Sequence, residues 1–137
     1  MLVSYLAARY INRNKPDKKK RVFPGKFVYL TSANPWGEPK GTIRSVRVLL
    51  KEHGWRGDMT GIVEAPELDD VRNWVKKTYN IESFVLPETV NQELKYKSLR
   101  LDLISGMSEV SDRIFDTYEE ALERSLIETI RENKRNS

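Results

Sequence analysis

The sequence predicts an α+β fold, in which a small sheet has helices packed on a face and the C-terminal part follows the order α-β-β-β-α. Two observations predict it. Apolar residues recur at helical spacing near both ends and in the middle of the chain, and short runs rich in β-branched and aromatic residues lie between these segments. A chain of 137 residues can bury roughly two-thirds of its unfolded surface, so a hydrophobic core is expected.

The charge of the chain is unevenly distributed. Residues 1–60 carry 13 Lys and Arg against 4 Asp and Glu, whereas residues 61–137 carry 11 against 16. We therefore predict a basic N-terminal extension over residues 1–60, with one or two helices and a strand, and a small α+β domain over residues 61–137. Opposed fields of this kind can steer association with nucleic acid or with an acidic protein.

The first residues predict a short amphipathic helix. Its apolar side consists of Leu2, Tyr5, Leu6, Tyr10 and Ile11, which recur at helical spacing. Arg9 interrupts the apolar run before a membrane span of roughly 20 residues could form. We therefore expect a soluble, unprocessed protein.

The rest of the basic half predicts a strand, a turn and a helix. Residues 26–31 have the β-branched and aromatic content of a strand. Residues 34–37 fit a type I turn, with Trp36 at its tip. Thr42 is then expected to cap a helix that ends at Gly54 as its C′ residue.

The next segment predicts a short strand at residues 62–63, followed by a helix whose first turn tolerates Pro66. The apolar stripe of this helix contains Leu68, Val71, Trp74 and Val75. Three strands are expected after it: residues 81–86 stopped by Pro87, residues 94–104, and residues 113–115.

The last segment predicts a well-capped helix. Thr117 and Glu120 have the spacing of a capping box, in which side chains and backbone N–H groups satisfy each other. The apolar side of the helix consists of Tyr118, Ala121, Leu122, Ser125, Leu126, Thr129 and Ile130.

The element order from Pro66 onward is that of double-stranded-RNA-binding domains. Those domains present Lys to phosphates at the start of their last helix, where the helix dipole also favours an anion. In this sequence Glu119 and Glu120 occupy that first turn, and they would repel phosphate. We therefore interpret the order as a topology without RNA binding at this helix.

Residues 61–131 resemble an uncharacterised family of small proteins encoded by phages and prophages of Bacteroidetes-type bacteria. In that family an Ala-Pro segment opens a helix with a central Trp, and strands lead to a closing T-Y-E-E-A-L helix. The matching residues are Ala65, Pro66, Trp74, Asn80, Ile81, Thr117, Tyr118, Glu119, Glu120, Ala121 and Leu122. The resemblance implies a fold and a genomic setting, in the cytosol of a bacterial host, rather than a reaction.

No catalytic signature is present. The chain has no Cys, which excludes disulfides, thiol nucleophiles and Cys-ligated metals. His53 is the single histidine, and we interpret it as a residue at a helix end. Phosphate-cradling glycine motifs are absent. We expect no cofactor, no metal site and no enzymatic activity.

Two groups of residues are candidates for binding. The run Lys18, Lys19, Lys20 and Arg21 could contact nucleic-acid phosphates, although such runs are as often solvated tails. Trp36 and Trp55 could stack on bases or anchor a protein interface, although packing over the core is the favoured role.

From these features we predict an accessory protein of a phage or mobile element that acts by macromolecular binding in the cytoplasm. A protein partner is slightly preferred, and nucleic-acid binding through the basic half is the alternative. We expect no membrane partner, and the sequence leaves the oligomeric state open.

Overall fold

The computed structural model describes residues 1–16, 21–23, 25–55 and 59–135. The chain forms two compact units, one comprising Leu2–Glu67 and the other Leu68–Ser137 together with Met1. The division thus follows Glu67, whereas the sequence analysis placed it after residue 60. The reason is that the strand at residues 62–64 forms its ladder with the strand at residues 27–30, within the N-terminal unit.

Within its described residues, the N-terminal unit contains two helices and a three-stranded antiparallel sheet. Its elements are α1 (Tyr5–Arg13), β1 (Phe27–Leu30), β2 (Ile43–Ser45), α2 (Val46–Glu52) and β3 (Ile62–Glu64). The strands lie in the order β2-β1-β3, so β1 is central. The sequence predicted a single sheet, in the C-terminal part, and this second sheet corrects that expectation.

Alternate residues of β1 pack against different helices. Val28 and Leu30 are buried with Leu49 of α2 in one hydrophobic cluster. Tyr29 instead contacts Tyr5 of α1, with ring centroids 5.5 Å apart. Because successive side chains of a strand point to opposite faces, α1 and α2 cover opposite faces of this sheet.

Two details of the N-terminal unit differ from expectation. Thr42 does not cap α2, because residues 43–45 pair with β1 as a strand, and Ser45 accepts the N–H of Val48 at 3.0 Å instead. On α1, Leu6 is 75% exposed, whereas the helix buries Ala7, Ala8, Ile11 and Asn12. A polar residue therefore helps to select the buried face, which an apolar pattern cannot reveal.

The C-terminal unit has the predicted order α-β-β-β-α. Its elements are α3 (Leu68–Tyr79), β4 (Ile81–Val90), β5 (Glu93–Asp102), β6 (Ser108–Val110) and α4 (Tyr118–Arg135). The strands form an antiparallel sheet in the order β4-β5-β6. The α+β fold class is therefore confirmed.

Two strand boundaries in this unit correct the sequence analysis. Pro87 does not stop β4, which continues to Val90, because β4 is an edge strand and needs no N–H donor on its outer side. The third strand is Ser108–Val110 rather than residues 113–115. Ser111 accepts the N–H of Arg113 at 3.1 Å, and this local turn interrupts the ladder before Phe115 forms a single bridge to Tyr96.

Helix α4 packs on one face of the C-terminal sheet. Ser125 of α4 donates its hydroxyl to that of Ser83 on β4 at 3.2 Å, and both residues are fully buried. The helices bury Val71, Val75, Ala121, Leu122, Leu126 and Ile130. At the start of α4, Thr117 Oγ1 accepts the N–H of Glu120 at 3.1 Å, which confirms this half of the capping box.

Within the described residues, every helix is too short or too polar to cross a membrane.

Candidate interaction surfaces

Of the basic run singled out by the sequence, the structure describes Arg21. Lys18, Lys19 and Lys20 lie outside the described residues. Arg21 Nε lies 3.5 Å from Glu64 Oε1, and its guanidinium also donates to the carbonyl of Gly25. Arg21 is thus committed to an intramolecular carboxylate, which reduces what it can offer to a phosphate.

Glu64 is the centre of a buried polar network in the N-terminal unit. Its Oε2 lies 3.2 Å from Lys15 Nζ and accepts the N–H of Val22 at 3.0 Å. Both carboxylate oxygens lie 3.3 Å from the backbone nitrogen of Phe23, which donates to them. Burial of the carboxylate is therefore matched by a cation and by backbone donors, as a buried charge requires.

The backbone of Glu64 is held by the side chain of Asn12. The N–H of Glu64 donates to Asn12 Oδ1 at 3.0 Å, and Asn12 Nδ2 donates to the carbonyl of Glu64 at 3.1 Å. The amide of Asn12 thus takes the place of a neighbouring strand at this edge of β3. The network is an architectural element, since a carboxylate with so many partners has little capacity for another ligand.

The two tryptophans predicted as possible interface anchors belong to the core of the N-terminal unit. Trp55 is buried with Val28, Leu30, Leu49 and Ile62. Trp36 is half-buried against the same cluster, and its Nε1 donates to the carbonyl of His53 at 3.3 Å. His53 itself is the C-cap residue of α2. This is the packing role that the sequence analysis favoured.

The N-terminal unit carries a groove of about 580 Å³ beside the start of β1 and one side of α2. Its apolar residues are Phe27, Val46 and Leu50, and its cations are Lys26, Arg47 and Lys51. We call it the basic-rimmed groove. The three cations are exposed and form no ion pair within the described part of the chain. The groove can therefore accept a ligand that has both apolar groups and negative charge.

The face of the C-terminal sheet opposite α4, which we call the open sheet face, has apolar side chains that are partly exposed. Because Ser83 and Ser98 face α4, their neighbours along each strand point the other way. Apolar residues on this open sheet face include Phe84, Leu86, Leu99, Leu101 and Val110. Phe84, Leu86 and Val110 are 38%, 39% and 48% exposed. Adjacent apolar side chains across three strands form a patch of the kind that marks interaction sites.

The charged groups around the open sheet face are paired with one another. Lys97 Nζ lies 3.1 Å from Glu88 Oε2. Glu82 binds Arg72 at 2.8 Å and Lys76 at 3.2 Å, and the Arg72 guanidinium also lies over the ring of Phe84. These pairs leave little unbalanced positive charge to attract a polyanion.

A polar cleft of about 340 Å³ lies between β5, β6 and α4. Arg100 in this cleft binds both carboxylate oxygens of Glu132, at 2.8 and 3.1 Å, and one oxygen of Glu109 at 3.3 Å. Burial lowers the pKa of the Arg100 guanidinium, but the hydrogen bonds to Glu132 together with the negative charges of Glu132, Glu109 and Glu128 outweigh this effect, so that the pKa is raised. Arg100 therefore links the sheet to α4 and has few free donors for a ligand.

The start of α4 is anionic in the folded protein as well as in the sequence. Asp116 binds Lys95 of β5, and this hydrogen bond, with a second one to Glu93, raises the pKa of Lys95. Glu119 and Glu120 lie in the first turn of the helix. Lys95 is thus already paired with carboxylates, in keeping with an end of the helix that does not attract phosphate.

Among the described residues, no three His, Asp or Glu side chains are arranged to hold a metal ion. Comparison of the chain with family models, with curated proteins and with solved structures finds no match.

The sequence analysis missed three features: the Glu64 network, the basic-rimmed groove and the open sheet face. The open sheet face had a visible signal, because Phe84 and Leu86, and likewise Leu99 and Leu101, alternate with other residues along two paired strands. The groove had none, since its residues come from two separate segments that only the fold brings together.

Proposed function

We propose that the protein is a non-enzymatic accessory protein of a phage or mobile element, and that it acts by binding another protein through the open sheet face. The exposed apolar patch of Phe84, Leu86 and Val110 is the observation that carries this proposal. Partly exposed apolar residues with a polar rim are typical of protein interfaces. The phage setting rests on the resemblance over residues 61–131.

A protein partner fits this surface better than a nucleic acid does. Nucleic-acid affinity comes mainly from cations that neutralise phosphates. Lys97 and Arg72 at the edge of the open sheet face are each paired with a carboxylate, so a phosphate would have to displace Glu88 or Glu82. Burial of the apolar patch against a protein partner does not require these carboxylates to be displaced.

The proposal is tested by co-purification with proteins encoded by neighbouring genes. The wild type is compared with Leu86→Lys, which places a charge within the patch on the edge strand β4, and with Leu6→Lys, a matched control on an exposed position of α1. We expect a partner protein that co-purifies with the wild type and with Leu6→Lys but not with Leu86→Lys. Both substituted residues are exposed, so thermal unfolding should be nearly unchanged.

The competing function, nucleic-acid binding through the basic half, is tested in parallel. An electrophoretic shift assay measures binding to duplex DNA and duplex RNA at two salt concentrations. Two results together would overturn the proposal in favour of this alternative. The first is tight, strongly salt-dependent nucleic-acid binding that Leu86→Lys does not weaken, and the second is that every protein that co-purifies with the wild type also co-purifies with Leu86→Lys.

A further inference from the structure

We infer that the basic-rimmed groove of the N-terminal unit is a second binding site, and that it takes an acidic, amphipathic peptide segment of a partner protein. One apolar side chain of the segment would lie among Phe27, Val46 and Leu50, and its carboxylates would face Lys26, Arg47 and Lys51. This site is separate in sequence and in composition from the open sheet face.

The fold leaves apolar side chains of the groove partly exposed to water. Leu50 is 50% exposed and Phe27 is 37% exposed, although each has a buried neighbour, Leu49 or Val28, in the core. The groove has room for one or two side chains of a ligand at about 580 Å³. An apolar group placed there would be removed from water together with Leu50 and Phe27.

The spacing of the cations in the groove favours an anionic ligand, because the cations repel one another. Arg47 and Lys51 are spaced i, i+4 on α2, where like charges destabilise a helix slightly. Lys26 lies beside the start of α2, because its carbonyl accepts the N–H of Val46 at 2.8 Å. By contrast, nearby Arg44 is paired with Glu38 at 2.7 Å. An anionic ligand would relieve the repulsion that the fold leaves in place.

A peptide fits this groove better than a single-stranded nucleic acid. Binding of single strands relies on several aromatic rings on which successive bases stack. The groove offers one ring, that of Phe27, beside the aliphatic side chains of Val46 and Leu50. Peptide segments are commonly held in the way proposed, with apolar anchors in a groove and charges at its rim.

The experiment is a selection from a random-peptide library against the purified full-length protein. We expect the selected peptides to combine Asp or Glu with Leu, Ile or Phe. A selected peptide is then labelled, and its affinity is measured by fluorescence anisotropy. The double variant Arg47→Glu/Lys51→Glu should weaken binding by about tenfold or more, as expected when several attractive charge pairs become repulsive.

Two controls make the outcome specific. Arg13→Glu/Lys40→Glu changes the net charge equally at exposed positions outside the groove and should leave the affinity unchanged. Leu50→Ser keeps all three cations and should weaken binding through the apolar contact alone, which tests the site even if the double variant fails to fold.

The inference is overturned if the selected peptides are not acidic, or if the double variant and Leu50→Ser both bind them as the wild type does. It is also overturned if an oligothymidine displaces the labelled peptide from the groove and binds there with higher affinity than the peptide. The substitutions in the groove leave the residues of the open sheet face unchanged, so the failure of either proposal is recognised separately.

Discussion

Glu64 and Lys15 form a buried ion pair in the N-terminal unit, with Oε2 and Nζ 3.2 Å apart and side chains that are 2% and 0% exposed. The carboxylate also accepts backbone N–H groups from Val22 and Phe23, and Arg21 lies near its other oxygen. One acid therefore joins the segments on both sides of residues 17–20 to β3.

We predict that the two partners of this pair are unequal in their effect on stability. Glu64→Leu leaves Lys15 as an uncompensated buried charge and also orphans two backbone donors, so it should lower the free energy of unfolding by about 3 to 5 kcal/mol. Lys15→Met should cost less, because the carboxylate keeps its backbone donors and Arg21. Urea unfolding of both variants measures the difference. Equal losses, or a larger loss for Lys15→Met, would contradict this ranking.

Gly61 should tolerate no side chain. Its φ is +76°, and a Cβ built on it would lie 2.6 Å from the Cα of Asn34 and 3.0 Å from the carbonyl oxygen of Ala33. Gly61→Ala should therefore destabilise the protein by more than about 2 kcal/mol, since strain in the left-handed region and a backbone clash add together.

Gly37 provides a matched control for the backbone. Its φ is +69°, but nothing lies within 4 Å of an added Cβ. Gly37→Ala should cost only the conformational strain, about 1 kcal/mol. If the urea midpoints of the two variants coincide, the contact between Gly61 and residues 33–34 is not a constraint on the fold.

The cap and the core of α4 should contribute different amounts to stability. Thr117→Ala removes the acceptor for the N–H of Glu120 and should cost about 1 kcal/mol. Leu122 is fully buried, and Leu122→Ala should cost roughly 2 to 5 kcal/mol by leaving a cavity. Thermal unfolding followed by circular dichroism measures both. Negligible losses at both positions would mean that α4 does not belong to the core.

The acidic start of α4 should prevent RNA binding at this position. A helix N-terminus carries roughly half a positive charge, which attracts phosphate unless carboxylates already neutralise it. Glu119→Lys/Glu120→Lys should therefore create or increase affinity for duplex RNA, at some cost in helix stability, and an electrophoretic shift assay detects the change. Tight RNA binding by the wild type that this double variant abolishes, without unfolding, would identify the helix start as a binding site.

The sequence by itself determined the helices, most of the strands and the order of the C-terminal unit. Local signals are sufficient for these features: the apolar stripe of α3, the Thr117 cap of α4 and the aromatic and aliphatic run of β1 each depend on residues close together in the chain. The same signals failed at Thr42 and Pro87, because pairing with β1 and an edge position in the sheet outweighed the local preference.

Only the tertiary structure decided which side chains meet. Asn12, Lys15 and Arg21 converge on Glu64 from positions more than 40 residues away, and no periodicity in the sequence marks that encounter. The basic-rimmed groove likewise joins Lys26 and Phe27 to one side of α2, and the open sheet face depends on which face α4 covers. Contacts between distant segments depend on how the whole chain packs, whereas helices and turns are favoured by neighbouring residues alone.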